Sequence, residues 1–231
     1  MAVAADRGAA MAANVSAVQA RIAAAAERAG REPGDITLIA VTKTHDARTV
    51  ALAHEAGVRH FGENRVQEAR PKISLLREQG AEATWHLIGA LQTNKVNAAL
   101  ACFDILHAVD SERLARAISQ RATRLVPVLI EVNVAGEETK HGVSPADAGA
   151  LAEAVGGLPN IDLRGLMTVA PRVDDPEDVR PVFRRLRELR DALGLRELSM
   201  GMTDDFEVAI EEGSTMVRVG RAIFGARKEA T

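Results

Sequence analysis

The chain changes its apolar rhythm repeatedly along its whole length, and that alternation narrows the folds open to it. Short apolar runs at Ile36–Val41, Val58–Phe61, Trp85–Ile88, Ile105–Val109, Val126–Val134, Ile161–Met167, Leu198–Met200 and Met216–Val219 read as buried strands. Between them lie helical stretches. The first runs from about Met11 to Ala29, with Val15, Val18 and Ile22 on one face and Gly30 as its stop, and the next from Asp46 to Ala56. Ser111, Ser144-Pro145 and Asp175-Pro176 place capping side chains before later helices. Strict alternation of strands and helices builds a parallel sheet. Eight such units in 231 residues, roughly 29 residues each, suit a closed (β/α)8 barrel. An open doubly wound sheet is the competing architecture, but it expects G-x-G-x-x-G directly after its first strand, where this chain has Thr42-Lys43-Thr44-His45. No linker rich in Pro, Gly or Ser divides the chain. Residues 11–231 are therefore expected to form one domain behind a flexible extension of residues 1–10.

Charge and composition exclude several functions. The 29 basic and 32 acidic residues leave a net charge of −3, too balanced for a field that would hold nucleic acid or an anionic membrane. No run of about 18 apolar residues occurs, and the lone Cys102 permits no internal disulfide, so a soluble, unprocessed cytoplasmic protein is expected. Cys102 is expected to be buried and inert. The six histidines show neither H-E-x-x-H nor paired Cys/His spacing, which gives no basis for a metal site. His86 and His107 fall within strands and are expected to be hydrogen-bonded inside the barrel. Tyrosine is absent, so a mechanism needing a phenol must find it on another chain.

In a (β/α) barrel, chemistry collects where the strands end, because the following loops open on one face. Lys43 closes the first strand. Desolvation there disfavours the ammonium and yields an amine able to form a Schiff base with a carbonyl; the other reading is an ion pair with a carboxylate such as Glu63. Asn64 follows the second strand. Gly201 and Gly220 let backbone approach a ligand closely, Ser199 and Thr203 offer hydroxyls, and the segment after Gly220 reads as a short helix whose first amides face an anion. Arg218 shares a strand face with Met216 and Gly220. It is either half of a buried ion pair or a donor to a ligand's ring nitrogen or carboxylate. A lysine amine, an anion cup and an arginine on one rim describe pyridoxal 5′-phosphate (PLP), with its aldehyde at Lys43, its phosphate near Gly220 and its ring nitrogen toward Arg218. An arginine at that nitrogen keeps it unprotonated and weakens the ring as an electron sink.

Several stretches carry a resemblance: Ala40-Val41-Thr42-Lys43-Thr44, Phe61-Gly62-Glu63-Asn64-Arg65-Val66-Gln67-Glu68, Trp85-His86-Leu87-Ile88-Gly89, Leu198-Ser199-Met200-Gly201-Met202-Thr203-Asp204-Asp205 and Gly213-Ser214-Thr215-Met216-Val217-Arg218-Val219-Gly220. Together they resemble the pyridoxal phosphate homeostasis protein family over about residues 11–228. The resemblance implies a barrel similar to the N-terminal domain of alanine racemase, with PLP held as an aldimine on Lys43. It places the phosphate among Ser199, Thr203, Gly220 and Arg221, the ring nitrogen at Arg218, and Asn64 near the cofactor. It also implies a carrier or buffer of PLP without dedicated catalysis, possessing apo PLP-dependent enzymes as partners. A monomer is expected. The alternative functions are a PLP-dependent racemase or decarboxylase, with Lys140 or a partner residue as the missing base, and a cofactor-free Schiff-base aldolase. Two further segments stand open: Gly136–Gly142 is a surface loop or a lid carrying Lys140, and Arg180, Arg184 and Arg187 form a solvated face or dock an acidic partner.

Overall fold

The computed structural model describes residues 2–137 and 139–225, so residues 226–231 of the expected domain and Glu138 of the Gly136–Gly142 loop lie outside the described residues. Eight parallel strands close into a barrel: β1 (Thr37–Val41), β2 (His60–Glu63), β3 (Thr84–Leu87), β4 (Ile105–Val109), β5 (Val126–Glu131), β6 (Ile161–Met167), β7 (Glu197–Met202) and β8 (Met216–Val219). Closure is made by β1 against β8, with Thr37 opposite Met216 and Ala40 opposite Val219. The helices are α1 (Ala2–Arg28), α2 (Ala47–Glu55), α3 (Val66–Glu78), α4 (Val96–Leu100), α5 (Glu112–Arg121), α6 (Ala148–Gly156), α7 (Arg180–Ala192), α8 (Phe206–Glu211) and α9 (Arg221–Phe224).

Local chemistry accounts for several boundaries. The side chain of Asp46 accepts from the Thr49 amide at 2.7 Å to start α2, and that of Ser111 accepts from the Leu114 amide at 3.4 Å to start α5. Asp175 caps a single 3-10 turn at Pro176–Val179 that leads into α7, rather than α7 itself. Helix α1 begins at Ala2, not Met11, because the alanine-rich residues before Met11 favour helix without needing a buried face. It buries Met11, Val15, Val18, Ile22, Ala25 and Ala26 and packs on α2, α8 and α9. In that position it covers the barrel flank that the four-residue α9 is too short to shield.

Strand ends depart from the apolar runs where polar residues turn inward. Strand β2 runs from His60 to Glu63, two residues beyond the expected Val58–Phe61, since its interior face carries His60 and Gly62 instead of aliphatics. Strand β5 stops at Glu131; beyond it the Val132 amide still donates to the Met167 carbonyl at 2.8 Å, and Val132 forms an isolated bridge to Val143. Outside the sheet, Phe61 stacks on Trp85 at 5.2 Å beneath the helices. Inside lies a small apolar cluster of Ile105, Ala108, Leu129 and Met167 beside buried His86, His107, Ser199 and Arg218. A barrel interior is ordinarily filled by branched aliphatics; this one is half polar.

Candidate functional site

Lys43 sits half-buried in the tight turn after β1, and α3 grips both sides of it. The turn closes through the His45 amide onto the Thr42 carbonyl at 3.1 Å, with Thr44 at φ 71°, a left-handed backbone uncommon for a side chain branched at Cβ. Before Lys43, the Thr42 carbonyl accepts from Lys72 Nζ at 2.7 Å; after it, the Thr44 amide donates to Glu68 Oε2 at 3.2 Å. Glu63, offered by the sequence as a partner for Lys43, instead binds Lys72 Nζ at 2.5 Å and the Thr42 hydroxyl. That pair is buried, and the other oxygen of Glu63 has no hydrogen-bond partner among the described residues. Burial raises the Glu63 carboxyl, against the hydrogen bonds from Lys72 and Thr42 that lower it. One signal for this cluster was present in the sequence, since Lys72 sits on the apolar stripe of α3 with Ala69, Ile73 and Leu76.

Across the β1–β8 seam, two loops meet. Strand β7 runs into its turn through Gly201, at φ 93°, where an added Cβ would lie 2.6 Å from that of Ala209 and 2.9 Å from Phe206 Cα, so only glycine fits. Asp205 pins the same turn by accepting from the Met202 amide at 2.5 Å. Gly220 heads α9, and an added Cβ there would be 3.4 Å from the Val41 carbonyl oxygen, which puts this turn beside the end of β1. The His45 and Phe224 rings meet across the same gap, tilted by 31° with centroids 4.7 Å apart. Among the described residues the amides of Thr203, Arg221 and Ala222 donate to no protein acceptor. The Arg221 guanidinium binds both oxygens of Asp204, which ties the two loops together and leaves the Arg221 backbone, not its side chain, facing the gap. Thr203 is half-buried in this turn, and Asn64 is half-buried just past β2, where its backbone leaves no room for a Cβ on Gly89 (2.7 Å from the Asn64 carbonyl oxygen).

Arg218 is buried in the barrel interior without a carboxylate partner among the described residues. Its Nη1 donates to the carbonyl and hydroxyl of Ser199, both at 2.7 Å, and its Nη2 donates to the Thr168 carbonyl at 2.8 Å. The ion pair offered as one reading of Arg218 is thus absent among these residues, and two of the five guanidinium N–H groups remain for another acceptor. Burial lowers its pKa to about 10, with Asp205 and Glu131 opposing, so it stays a cation at neutral pH. Burial raises the carboxyls of Asp205 and Glu131 in turn. Ser199 therefore stands apart from Gly201, Thr203, Gly220 and Arg221: it is fully buried and engaged by Arg218 and His107 rather than set in the loop. A register shift explains this placement, because β7 advances three residues, Ser199 to Met202, while β8 advances two, Met216 to Arg218.

Other expected features settle elsewhere. His86 and His107 are fully buried and hydrogen-bonded inside the barrel, as their strand positions suggested. Cys102 is half-buried rather than buried, with its thiol pushed up by burial. Lys140 donates to Glu137 at 2.8 Å and to the Val169 carbonyl at 3.3 Å. Arg180, Arg184 and Arg187 all converge on Glu212 of the segment after α8, at 3.3, 3.2 and 3.0 Å, while Arg184 stays exposed and Arg180 and Arg187 are half-buried.

The sequence profile of the family "Alanine racemase, N-terminal domain" matches residues 13–228. A pyridoxal phosphate homeostasis protein of Aquifex aeolicus is 47% identical over 223 residues, covering 93% of this chain and 97% of its own. A crystal structure of an unknown protein from Bifidobacterium adolescentis superposes with a TM-score of 0.87 at 45% identity, covering 95% of this chain and 96% of that one. PipY of Synechococcus elongatus, solved with PLP bound, superposes with a TM-score of 0.81 at 34% identity over 93% of this chain and 100% of its own. The lysine turn, the paired loops and the inward arginine thus lie on a barrel of known lineage, and the chain belongs to the pyridoxal phosphate homeostasis protein family, with the fold of the alanine racemase N-terminal domain.

Proposed function

We propose that this protein binds PLP and serves as its carrier or buffer, holding it as a Schiff base on Lys43. The observation that carries the reading is the meeting at one rim of three things: a lysine whose flanking peptides are both held by α3, a pair of loops with undonated amides, and a buried arginine with no carboxylate partner among the described residues. The residues suit the ligand. Glycine at 201 and the close approach of Gly220 to β1 make a cradle that side chains would fill, and the Thr203, Arg221 and Ala222 amides are donors fit for a phosphate. Arg218 offers donors and a retained positive charge to the ring nitrogen, with Asn64 beside the ring. When bound, PLP supplies an aldehyde that amines capture reversibly.

The chain's own residues favour holding over turnover. Arg218 cannot give a proton to the ring nitrogen at neutral pH, which weakens carbanion stabilisation. The sequence has no tyrosine to act as an opposing base, and Lys140 is tied to Glu137 and Val169. We place the protein in the cytoplasm as a monomer that passes PLP to apo-enzymes; the balanced charge and the single cysteine support this, and among the described residues no helix is long and apolar enough to cross a membrane.

Borohydride reduction followed by peptide mass spectrometry tests the reading. Wild type incubated with PLP should carry one pyridoxyl adduct on the peptide containing Lys43, and Lys43→Ala should carry none there. A wild type that takes up no PLP ends the proposal, and solvent-deuterium exchange at amino-acid Cα well above the rate with free PLP would replace the carrier by an enzyme.

A further inference from the structure

Three imidazoles run in direct contact through the barrel interior and end on the arginine pocket. His60 Nδ1 lies 3.0 Å from His86 Nε2, His86 Nδ1 lies 2.8 Å from His107 Nε2, and His107 Nδ1 lies 2.9 Å from Ser199 Oγ. The last step crosses the barrel from β4 to β7. Ser199 Oγ then accepts from Arg218 Nη1 at 2.7 Å. His60, at the start of β2, is half-buried and lines a groove at the N-terminal end of the barrel with Gln19, Ile36 and Leu38. Among the described residues no group of three histidine, cysteine or acidic side chains is arranged to hold a metal ion, so the rings are joined to one another and not to a shared cation.

The direction of these bonds follows from counting protons. A serine hydroxyl has one hydrogen and two acceptor sites, and a guanidinium only donates. Arg218 therefore occupies one acceptor site of Ser199. If His107 Nδ1 donated to the other, the fully buried hydroxyl hydrogen would have no acceptor among the described residues, at the cost that attends any unsatisfied buried polar group. The hydroxyl must donate to His107 Nδ1. His107 then carries its proton on Nε2 and donates to His86 Nδ1, and His86 in turn carries its proton on Nε2 and donates to His60 Nδ1. A second proton on any of the three rings would set donor against donor within the file. Burial supports the same state: it lowers all three imidazoles, with Arg218 adding to the effect on His107 and the neighbouring rings to that on His86, while Asp104 partly opposes it at His60.

We propose that His60, His86 and His107 form one polarised hydrogen-bonded file, every ring in the Nε2–H form, and that His107 is a positioning residue which turns the Ser199 hydroxyl so that Arg218 is held with its remaining N–H groups toward the ligand. The consequence for PLP rests on the function proposed above; the proton arrangement does not. Without an acceptor at position 107, the Ser199 hydroxyl is free to rotate toward Arg218 and the guanidinium loses one of the three bonds that set its plane.

The test has two independent arms. Long-range ¹H–¹⁵N NMR on the protein without added PLP should show His60, His86 and His107 neutral and protonated at Nε2 at pH 7. A proton on Nδ1 of any of them, or a doubly protonated ring, overturns the file. In the second arm, His107→Leu should weaken PLP binding about tenfold, the worth of one lost bond to a charged group, and shift the absorbance band of bound PLP. His107→Asn, whose Oδ1 replaces the Nδ1 acceptor, should stay within about twofold of wild type in affinity and keep the band. Equal losses in the two variants overturn the positioning role. A wild type that binds no PLP while its rings show the expected protons would sink the cofactor reading and leave the file standing.

Discussion

Among the described residues two cations are buried in this barrel, and they are treated in opposite ways. On the β1–β2 side, Lys72 meets a carboxylate, Glu63, at 2.5 Å and a backbone carbonyl at 2.7 Å. On the β7–β8 side, Arg218 meets two carbonyls and a hydroxyl, and no carboxylate among the described residues. The first arrangement neutralises charge where the chain must turn; its product is a fixed Thr42 and hence a fixed root for Lys43. The second keeps the charge alive while fixing its plane. A protein that needed Arg218 only for packing would do better with a neutralising partner, since the desolvation of an unpaired ion is expensive. The contrast separates a neutralised ion pair from a cation with no carboxylate partner among the described residues.

The largest expected effect would break the contrast outright. Lys72→Met strands Glu63 in the interior and should cost about 3–5 kcal/mol in urea unfolding, with Lys72→Met combined with Glu63→Leu recovering most of it. Losses as large from Arg218→Met would show that the two cations do the same work. Gly201→Ala sharpens the picture on the β7 side: its positive φ and the contacts with Ala209 and Phe206 predict a loss of about 2–3 kcal/mol together with weakened PLP binding, read by denaturation and by titration.

Acid should discriminate the two regions further. His107 is held at about 3 by burial and Arg218, and His86 and His60 are also lowered, whereas an unfolded imidazole titrates near about 6.5. The unfolded chain thus takes up protons that the fold refuses. The stability these rings contribute is complete above about pH 6.5 and is lost as pH falls toward the folded values, by about 1.4 kcal/mol per pH unit for each ring kept neutral. The raised Glu63 carboxyl works in the other sense, its contribution being complete at low pH and lost as pH rises through its folded value. Unfolding midpoints measured from pH 7 to 4 should therefore fall more steeply in wild type than in His107→Asn; parallel curves would remove the interior histidines as the cause. The smallest effect on stability is expected from Arg218→Met, about 1 kcal/mol after relief of the buried charge, accompanied by a loss of PLP affinity of more than about tenfold.

Periodicity made the barrel legible because eight aliphatic runs at regular spacing admit few closed arrangements. It failed at particular ends. Glu63 belongs to β2 although it is polar, and hydropathy carries no sign for a strand whose inner face is an imidazole and a glycine. Val132 and Val134 are apolar but lie beyond the end of β5 at Glu131, since hydrophobicity reports burial and not pairing. At the site, Lys43 could be singled out because a lysine ending a β-branched run is conspicuous. Ser199 was misplaced toward the loop because a one-residue shift in register between β7 and β8 leaves no mark in the sequence.

What the sequence determined by itself was the alternation of elements, the position of Lys43 at a strand end, the glycines that permit close approach, and the absence of any tyrosine. These are local properties, fixed by residue type and spacing. Only the tertiary structure decided that Glu63 belongs to Lys72, that Arg218 has no carboxylate partner among the described residues, and that three histidines separated by 47 positions, from 60 to 107, touch in one line. Closing a sheet into a barrel brings strands face to face that never neighbour one another in the chain, and the partner of an inward side chain is set by that closure.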